Sequence, residues 1–316
     1  MVNERTPLEN TVGDRESWRR IWRKLDNPVI AKELRSWMRG PQAIAILTGY
    51  LMIISVIVCI VYEISMTSTP NPASDPSFRQ SIGKAVFGTV VLLELLLAAF
   101  IGPALTSGAV SSERERQTFD LLRTTTLSAS SFIVGKLGAS LLYLMLLMLA
   151  AVPIESLAFL LGGVGLEEIV ISSLMLFVCA LFFCALGLFF SSIMRRTLGA
   201  TVGAYVVIVL SAIFLALALA LISMDPAFNA TQYAANVHQQ TLWLVVWMLI
   251  STNPILAAVF SEVMLIDSQS AISGAWGPTS ISLNLPLPWI PMALLYVYLT
   301  ILMVLASIYF VSRPDR

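Results

Sequence analysis

Long apolar runs constrain this chain more than any other feature. Six of them approach or exceed the roughly twenty residues that an α-helix needs to cross a bilayer: 42–62, 85–110, 137–161, 169–194, 197–222 and 289–311. The composition agrees, because 57% of the residues are hydrophobic and only 12% are charged, about half the charged fraction of a typical soluble domain. The sequence therefore predicts an all-α integral membrane protein with six transmembrane helices.

Positive charge is distributed unevenly among the predicted loops. If the N-terminus is cytoplasmic, all of the 19 lysines and arginines except Arg79 and Lys84 lie on the cytoplasmic side. Cytoplasmic loops of membrane proteins carry such an excess. The asymmetry predicts a multi-pass protein of the cell membrane with both termini in the cytoplasm, ending in a short tail at 312–316.

The apolar run 242–266 is interrupted by Ser251-Thr252-Asn253-Pro254, and a proline after asparagine favours a helix break. A seventh span here would also move the C-terminal arginines to the outer side. We therefore predict a broken re-entrant helix pair on the outer side before the last span, since non-helical backbone at membrane depth is tolerated where protein buries it. A true seventh span is the alternative.

Residues 1–41 precede the first span and are predicted to form interfacial amphipathic helices. Apolar residues recur at helical spacing in 18–25 opposite a basic side, a pattern typical of helices at the lipid headgroups. A second helix carries Lys32, Glu33 and Arg35. Either both helices only rest on membrane lipid, or these three side chains also contact a cytoplasmic partner.

A charged segment lies between the second and third apolar runs. Its six charges cannot lie in hydrocarbon, so we predict a short cytoplasmic helix over 112–127. One stripe of alternating charge at ion-pair spacing would contain Glu113, Arg116, Asp120 and Arg123. Phe119 and Leu122 would lie on another face. Such a helix either receives force from a partner protein or is a solvated loop helix, and the residues alone leave both interpretations open.

This segment resembles the region between the second and third spans of ABC-2 type ABC transporter permeases. The family pattern runs roughly Gly/Ala-x-Ile/Val-x-x-Glu-Arg-Glu-x-Gly-Thr-x-x-x-Leu-Leu, then Pro-Leu-Ser, then Gly-Lys. The matching residues here are Val110, Glu113, Arg114, Glu115, Thr118, Leu121, Leu122, Leu127, Ser128, Gly135 and Lys136. Gln117 replaces the usual glycine, and Thr126 the usual proline. A second match covers 27–35, and the resemblance extends over about 26–215.

The resemblance implies a permease subunit that contacts separate ABC ATPase subunits and pairs with a second copy or a sister permease. The residues assigned to ATPase coupling are Glu113, Arg114, Glu115, Arg116, Thr118, Phe119 and Leu122, together with Lys32, Glu33 and Arg35. We expect ATP and magnesium to be bound by the partner. Gly135-Lys136 is not a phosphate-binding loop, because Ser130 and Leu137 occupy positions that require glycine and Ser/Thr. We therefore expect no cofactor in this chain, no enzyme activity and no nucleic-acid partner.

Polar residues inside the spans are candidates for a translocation path. Glu94 lies in the middle of the second span, where a lone carboxylate is costly unless it is paired, hydrated or protonated. It either lines the path or is a protonated residue bonded to a neighbouring helix. Glu155, which follows Pro153 in the third span, is a second candidate. The resemblance implies that the second and fifth spans line the path, which adds Tyr205.

Together these features predict a permease that exports a hydrophobic or amphipathic compound with ATP hydrolysed by a separate subunit. The alternative is a membrane scaffold that recruits a cytoplasmic partner without transport. A secondary transporter is a third possibility, disfavoured because the sequence shows no internal repeat of the kind common in that class.

Overall fold

The computed structural model describes residues 33, 41–67, 76–117, 128–225, 237–268, 272–276 and 283–313. The helices in this part are α1 (Pro41–Thr67), α2 (Pro76–Thr106), α3 (Ser111–Glu115), α4 (Ala129–Leu161), α5 (Leu166–Ile193), α6 (Thr197–Ser223), α7 (Val237–Ile250), α8 (Pro254–Ser268) and α9 (Trp289–Ser312). Strands β1 (Ser273–Trp276) and β2 (Leu283–Pro286) pair antiparallel between α8 and α9. The predicted coupling residues Lys32, Arg35, Thr118, Phe119 and Leu122 lie outside the described residues.

Six helices, α1, α2, α4, α5, α6 and α9, are long and apolar enough to cross a membrane. The predicted all-α membrane fold is therefore confirmed, although the hairpin of β1 and β2 was not predicted. The helix ends differ from the apolar runs. α2 begins at Pro76, because proline suits the first position of a helix. α4 begins at Ala129, because the Ser128 hydroxyl caps it by accepting from the backbone N–H of Ser131 at 3.2 Å.

α5 is the central helix and packs most extensively against α2 and α9. One glycine sets its distance from α2. A Cβ on Gly187 would lie 2.7 Å from the Cα of Pro103 and 2.2 Å from Oγ1 of Thr106. Only glycine permits this approach, which places the two spans in direct backbone contact, as small residues do in membrane helix pairs.

The connection from α4 to α5 presses against α2 near the other end of that helix. Gly162 and Gly163 have φ angles of 83° and 89°, a conformation that glycine adopts at least cost. A Cβ on Gly83 would lie 2.0 Å from the carbonyl oxygen of Gly162. The turn and α2 therefore contact each other through their backbones. α2 is thus held close to its neighbours at two positions along its length, near Gly83 and near Pro103.

The interrupted apolar run forms α7 and α8, which are bent by 114° at the break between them. The sequence encodes this break locally. The side-chain oxygen of Asn253 accepts from the backbone N–H groups of Ile255 at 2.9 Å and Leu256 at 3.3 Å, and Pro254 occupies the first helical position. The break lies where it was predicted, and a bend of this size excludes one straight span through 242–266.

The prediction of one continuous helix over 112–127 is wrong. α3 ends at Glu115, and the chain turns through Arg116 and Gln117, with Gln117 at a φ of 57°. A residue in the left-handed region cannot continue a right-handed helix, so α3 carries only Glu113 of the predicted charge stripe, and Asp120 and Arg123 lie outside the described residues. Gln117 stands where the family pattern has glycine, the residue that accepts this conformation most readily.

Candidate coupling and translocation sites

α5 and α6 meet at a corner, and the residues around α3 bind to it. The hydroxyl of Ser191, near the end of α5, accepts hydrogen bonds from the backbone N–H of Val110 at 2.9 Å and of Ser111 at 3.1 Å. Ser191 is fully buried. N–H groups at the start of a helix need partners from outside the helix, and one hydroxyl supplies them for two residues.

Arg114 and Glu115 bind the two helix ends at this corner. Arg114 Nη1 donates to the carbonyl oxygen of Ser192 at 3.0 Å, near the C-terminus of α5. The Glu115 carboxylate accepts from the backbone N–H of Thr197 at 2.8 Å and from its hydroxyl at 3.0 Å, at the N-terminus of α6. Each charge opposes the partial charge of the helix end that it binds. The structure thus places these two predicted coupling residues against the chain's own spans.

Further hydroxyl groups extend this contact. Ser107 and Thr201 share a hydrogen bond of 2.7 Å between their hydroxyls, and Ser111 donates to Oγ1 of Thr197 at 3.3 Å. We call residues 107–115 together with 191–201 the corner cluster. The sequence analysis missed its serines and threonines, because hydroxyl side chains are common in membrane helices and give no pattern of their own.

Three other coupling candidates lie among the described residues, and they differ in exposure and in contacts. Glu113 is half-buried, whereas Arg116 is exposed. Glu33 pairs with Lys136 Nζ at 2.5 Å, near the start of α4, and that ammonium group lies 5.7 Å from the centre of the Phe132 ring. The structure therefore joins the two sequence segments, around Glu33 and around Lys136, that separately resemble the family.

Glu94 lies in the middle of α2 and is 2% exposed. The titratable groups that act electrostatically on its carboxylate are Glu155 on α4 and Tyr50 on α1. Tyr50 lies near, yet among the described residues neither its hydroxyl oxygen nor Glu94 Oε1 meets the geometry of a hydrogen bond. The structure thus makes Glu155 and Tyr50 the electrostatic neighbours of Glu94, and Tyr50 is one that the sequence analysis did not select. We call these three residues the acidic cluster.

Tyr205 on α6 is separate from the acidic cluster. Its hydroxyl donates to the carbonyl oxygen of Phe100 at 2.5 Å, and the two rings lie 6.1 Å apart between centres. Phe100 is six residues beyond Glu94 in α2, or about 9 Å along the helix axis. Tyr205 therefore marks a contact between α2 and α6, the two spans that the resemblance assigned to the path.

Six candidate spans among the described residues, one of them the largely buried central helix α5, define a multi-pass integral membrane protein. A protein-family model described as ABC-2 family transporter protein matches residues 28–314, and the chain therefore belongs to that family. The match includes the last spans, beyond the reach of the resemblance seen in the sequence. A comparison with curated proteins found no significant match. Permeases of this family are membrane transport components that generally work with ABC ATPase subunits and are not themselves catalytic.

Proposed function

We propose that this chain is the export permease of an ABC transporter, in which it pairs with a second copy or a sister permease and binds separate ATPase subunits at its cytoplasmic face. The corner cluster carries this proposal. Arg114 donates a hydrogen bond, and Glu115 and Ser191 accept them, and these bonds attach α3 to the ends of α5 and α6. A partner that displaces α3 therefore displaces both spans.

The exposed turn after α3 is the part of this segment that a partner can contact. Arg116 and Gln117 are exposed and follow directly after the anchored residues. In this proposal the ATPase contacts Arg116, the turn and the segment beyond it, whereas Arg114 and Glu115 pass the displacement to the spans. In the same way, the ion pair between Glu33 and Lys136 attaches Glu33, which precedes the first span in sequence, to α4.

The surface of α6 supports pairing of two permeases. Most of its apolar side chains are exposed along the whole helix, including Val202, Val206, Ile213 and Phe214. We propose that a second permease covers part of this face and lipid the rest. A hydrophobic or amphipathic compound then moves between the two permeases, past Tyr205 and the contact of α2 with α6. Glu94 is buried inside the subunit and Glu155 is half-buried, and both act on this path from its side.

The test begins with affinity purification in mild detergent and identification of every bound chain, where we expect an ABC ATPase. Arg116→Glu should weaken this complex about a hundredfold or more, because a like-charge contact at an interface costs several kcal/mol, and should leave the melting temperature unchanged. Glu115→Ala should lower the free energy of unfolding by about 1 kcal/mol, the usual cost of losing a helix cap.

Arg195→Glu is the matched control, because it reverses the charge of another exposed arginine, one that lies between α5 and α6 in the corner cluster and has no assigned role in coupling. The proposal fails if no ATPase binds, or if Arg116→Glu binds it as tightly as the unchanged chain does. A stable complex whose ATPase activity does not respond to membrane compounds would favour the scaffold instead.

A further inference from the structure

A cavity of about 450 Å³ lies between α2, α5 and α8. It is distinct from the corner cluster and from the acidic cluster. Its size falls within the range of small-molecule sites, about 300–1,000 Å³. α2 contributes Gly88 and Leu92 to the walls, α5 contributes Met175, and α8 contributes Ala258 and Val259.

The hydroxyl groups at the cavity are already bonded to backbone. Thr89 and Ser172 donate to carbonyl oxygens in the preceding turn of their own helices, at 2.7 and 2.9 Å. Ser261 accepts from the backbone N–H of Trp289 at 3.0 Å. Because these groups are engaged, the walls present mainly hydrocarbon to whatever occupies the cavity.

The rim of the cavity is also apolar. Leu92 is 39% exposed and Val259 is 53% exposed, and both line the cavity. Leu92 lies on the spanning helix α2, where exposed apolar side chains contact lipid, because the bilayer core is as apolar as they are. The cavity therefore opens sideways toward the hydrocarbon of the bilayer, and a molecule dissolved in the membrane can enter it.

One end of the cavity carries two opposite charges. Lys84 Nζ lies 3.8 Å from Glu168 Oε1, and both residues line the cavity. The other carboxylate oxygen of Glu168 accepts from the backbone N–H of Gly165 at 3.1 Å, which fixes its position. The distance of 3.8 Å places the two groups next to each other but is longer than a hydrogen bond. They present one positive and one negative charge side by side.

We propose that this cavity binds one acyl chain of a membrane phospholipid with a zwitterionic headgroup. The apolar walls and the sideways opening select the chain. The charge pair selects the headgroup, with the phosphate at Lys84 and the ammonium group at Glu168. This proposal is independent of the ATPase partnership and survives if that partnership fails.

The test uses the full chain in phosphatidylglycerol vesicles with a phosphatidylethanolamine probe that carries a diazirine near the end of one acyl chain. After irradiation, mass spectrometry should locate the cross-links in 85–95, 171–179 and 254–259. Gly88→Leu should reduce labelling about tenfold, because extra side-chain volume in an occupied apolar site is strongly unfavourable. A Cβ at Gly88 meets no atom within 4 Å, so the variant should still fold.

Gly49→Leu is the matched control, because a Cβ at Gly49 in α1 also meets no atom within 4 Å and Gly49 lies away from the cavity. Ala258→Phe fills the cavity from the opposite wall. It repeats the test with an independent substitution, in case Gly88→Leu impairs folding. Cross-links spread evenly over the lipid-facing surface, or full labelling in both filled variants, would overturn the site.

The headgroup is tested separately with Lys84→Met, which removes the positive charge and keeps the length of the side chain. Labelling by the phosphatidylethanolamine probe should fall about threefold, because a partly solvent-accessible charge contact contributes modestly to binding. Labelling by a fatty alcohol with the same diazirine should not change. Equal loss with both probes, or no loss with either, would overturn the proposed headgroup recognition.

Discussion

The corner cluster and the acidic cluster both bury polar groups, and they differ in how those groups are satisfied. At the corner, Arg114, Glu115 and Ser191 each bond to backbone of a neighbouring element. In the acidic cluster, Glu94 Oε1 and the Tyr50 hydroxyl have no hydrogen-bond partner among the described residues. An unsatisfied buried polar group costs about 1–3 kcal/mol, whereas a bonded one is mildly stabilising. The backbone bonds of these three corner residues therefore stabilise the attachment of α3, whereas the Glu94 and Tyr50 oxygens carry a desolvation cost.

The largest expected effect that tests this comparison is that of Ser191→Ala. The change leaves the N–H groups of Val110 and Ser111 without their acceptor. Each buried donor so orphaned costs about 1–3 kcal/mol, so the free energy of unfolding should fall by about 2–6 kcal/mol. Thermal unfolding of the purified protein in detergent measures this. Ser211→Ala is the control, because that exposed hydroxyl bonds only to the carbonyl of Ile208 in its own helix. An unchanged unfolding midpoint would mean that water serves the two amides.

Glu94→Met should change the free energy of unfolding in the opposite direction. It replaces an incompletely satisfied carboxyl group with an apolar side chain of similar length, so the free energy of unfolding should rise by about 1–2 kcal/mol. Glu94→Gln keeps a polar group at the position and should give a smaller gain. A loss of stability in the methionine variant would place the acidic cluster in the same class as the corner. Transport, or ATPase activity stimulated by substrate, should change in Glu94→Gln if the residue acts on the path.

The smallest effect is expected at Gln117, at the edge of the corner cluster. Its left-handed backbone costs a non-glycine residue about 1 kcal/mol, so Gln117→Gly should raise the free energy of unfolding by about 0.5 kcal/mol after the greater freedom of glycine in the unfolded chain is counted. Gln240→Gly inside α7 should instead lower it by about 1 kcal/mol. Opposite signs in unfolding experiments on the two variants would support the turn, and two losses would contradict it.

The sequence predicted those features of the fold that depend on local composition. Six apolar runs are enough to specify six candidate spans, because a helix in lipid needs about twenty apolar residues. The break between α7 and α8 was predictable because Asn253 and Pro254 encode a cap and a first helical turn within a few residues. The starts of α2 and α4 were not predicted, because helices extend through polar turns that hydropathy does not register.

The partners of the charged residues could not be predicted. Arg114 and Glu115 bind groups 78 and 82 residues away in sequence, and no local pattern indicates such a contact. The turn at Gln117 was missed for a similar reason, since glutamine is a good helix former and its left-handed backbone is set by how α3 fits the corner. The sequence did single out Glu94 and Glu155 as candidates for the path, but it could not show that Glu155 acts electrostatically on Glu94.

The glycine contact between α2 and α5 has a mechanical consequence. Gly187 lets the two helices touch at Pro103, and Gly83 fixes α2 against the turn before α5, so the pair is clamped near both ends and can tilt only as one body. α5 has 28 residues and is about 42 Å long, so a tilt of about 5° around its middle moves each end by about 2 Å in opposite directions. A small displacement of α5 at the corner cluster is therefore accompanied by a displacement in the opposite direction at the other face of the membrane.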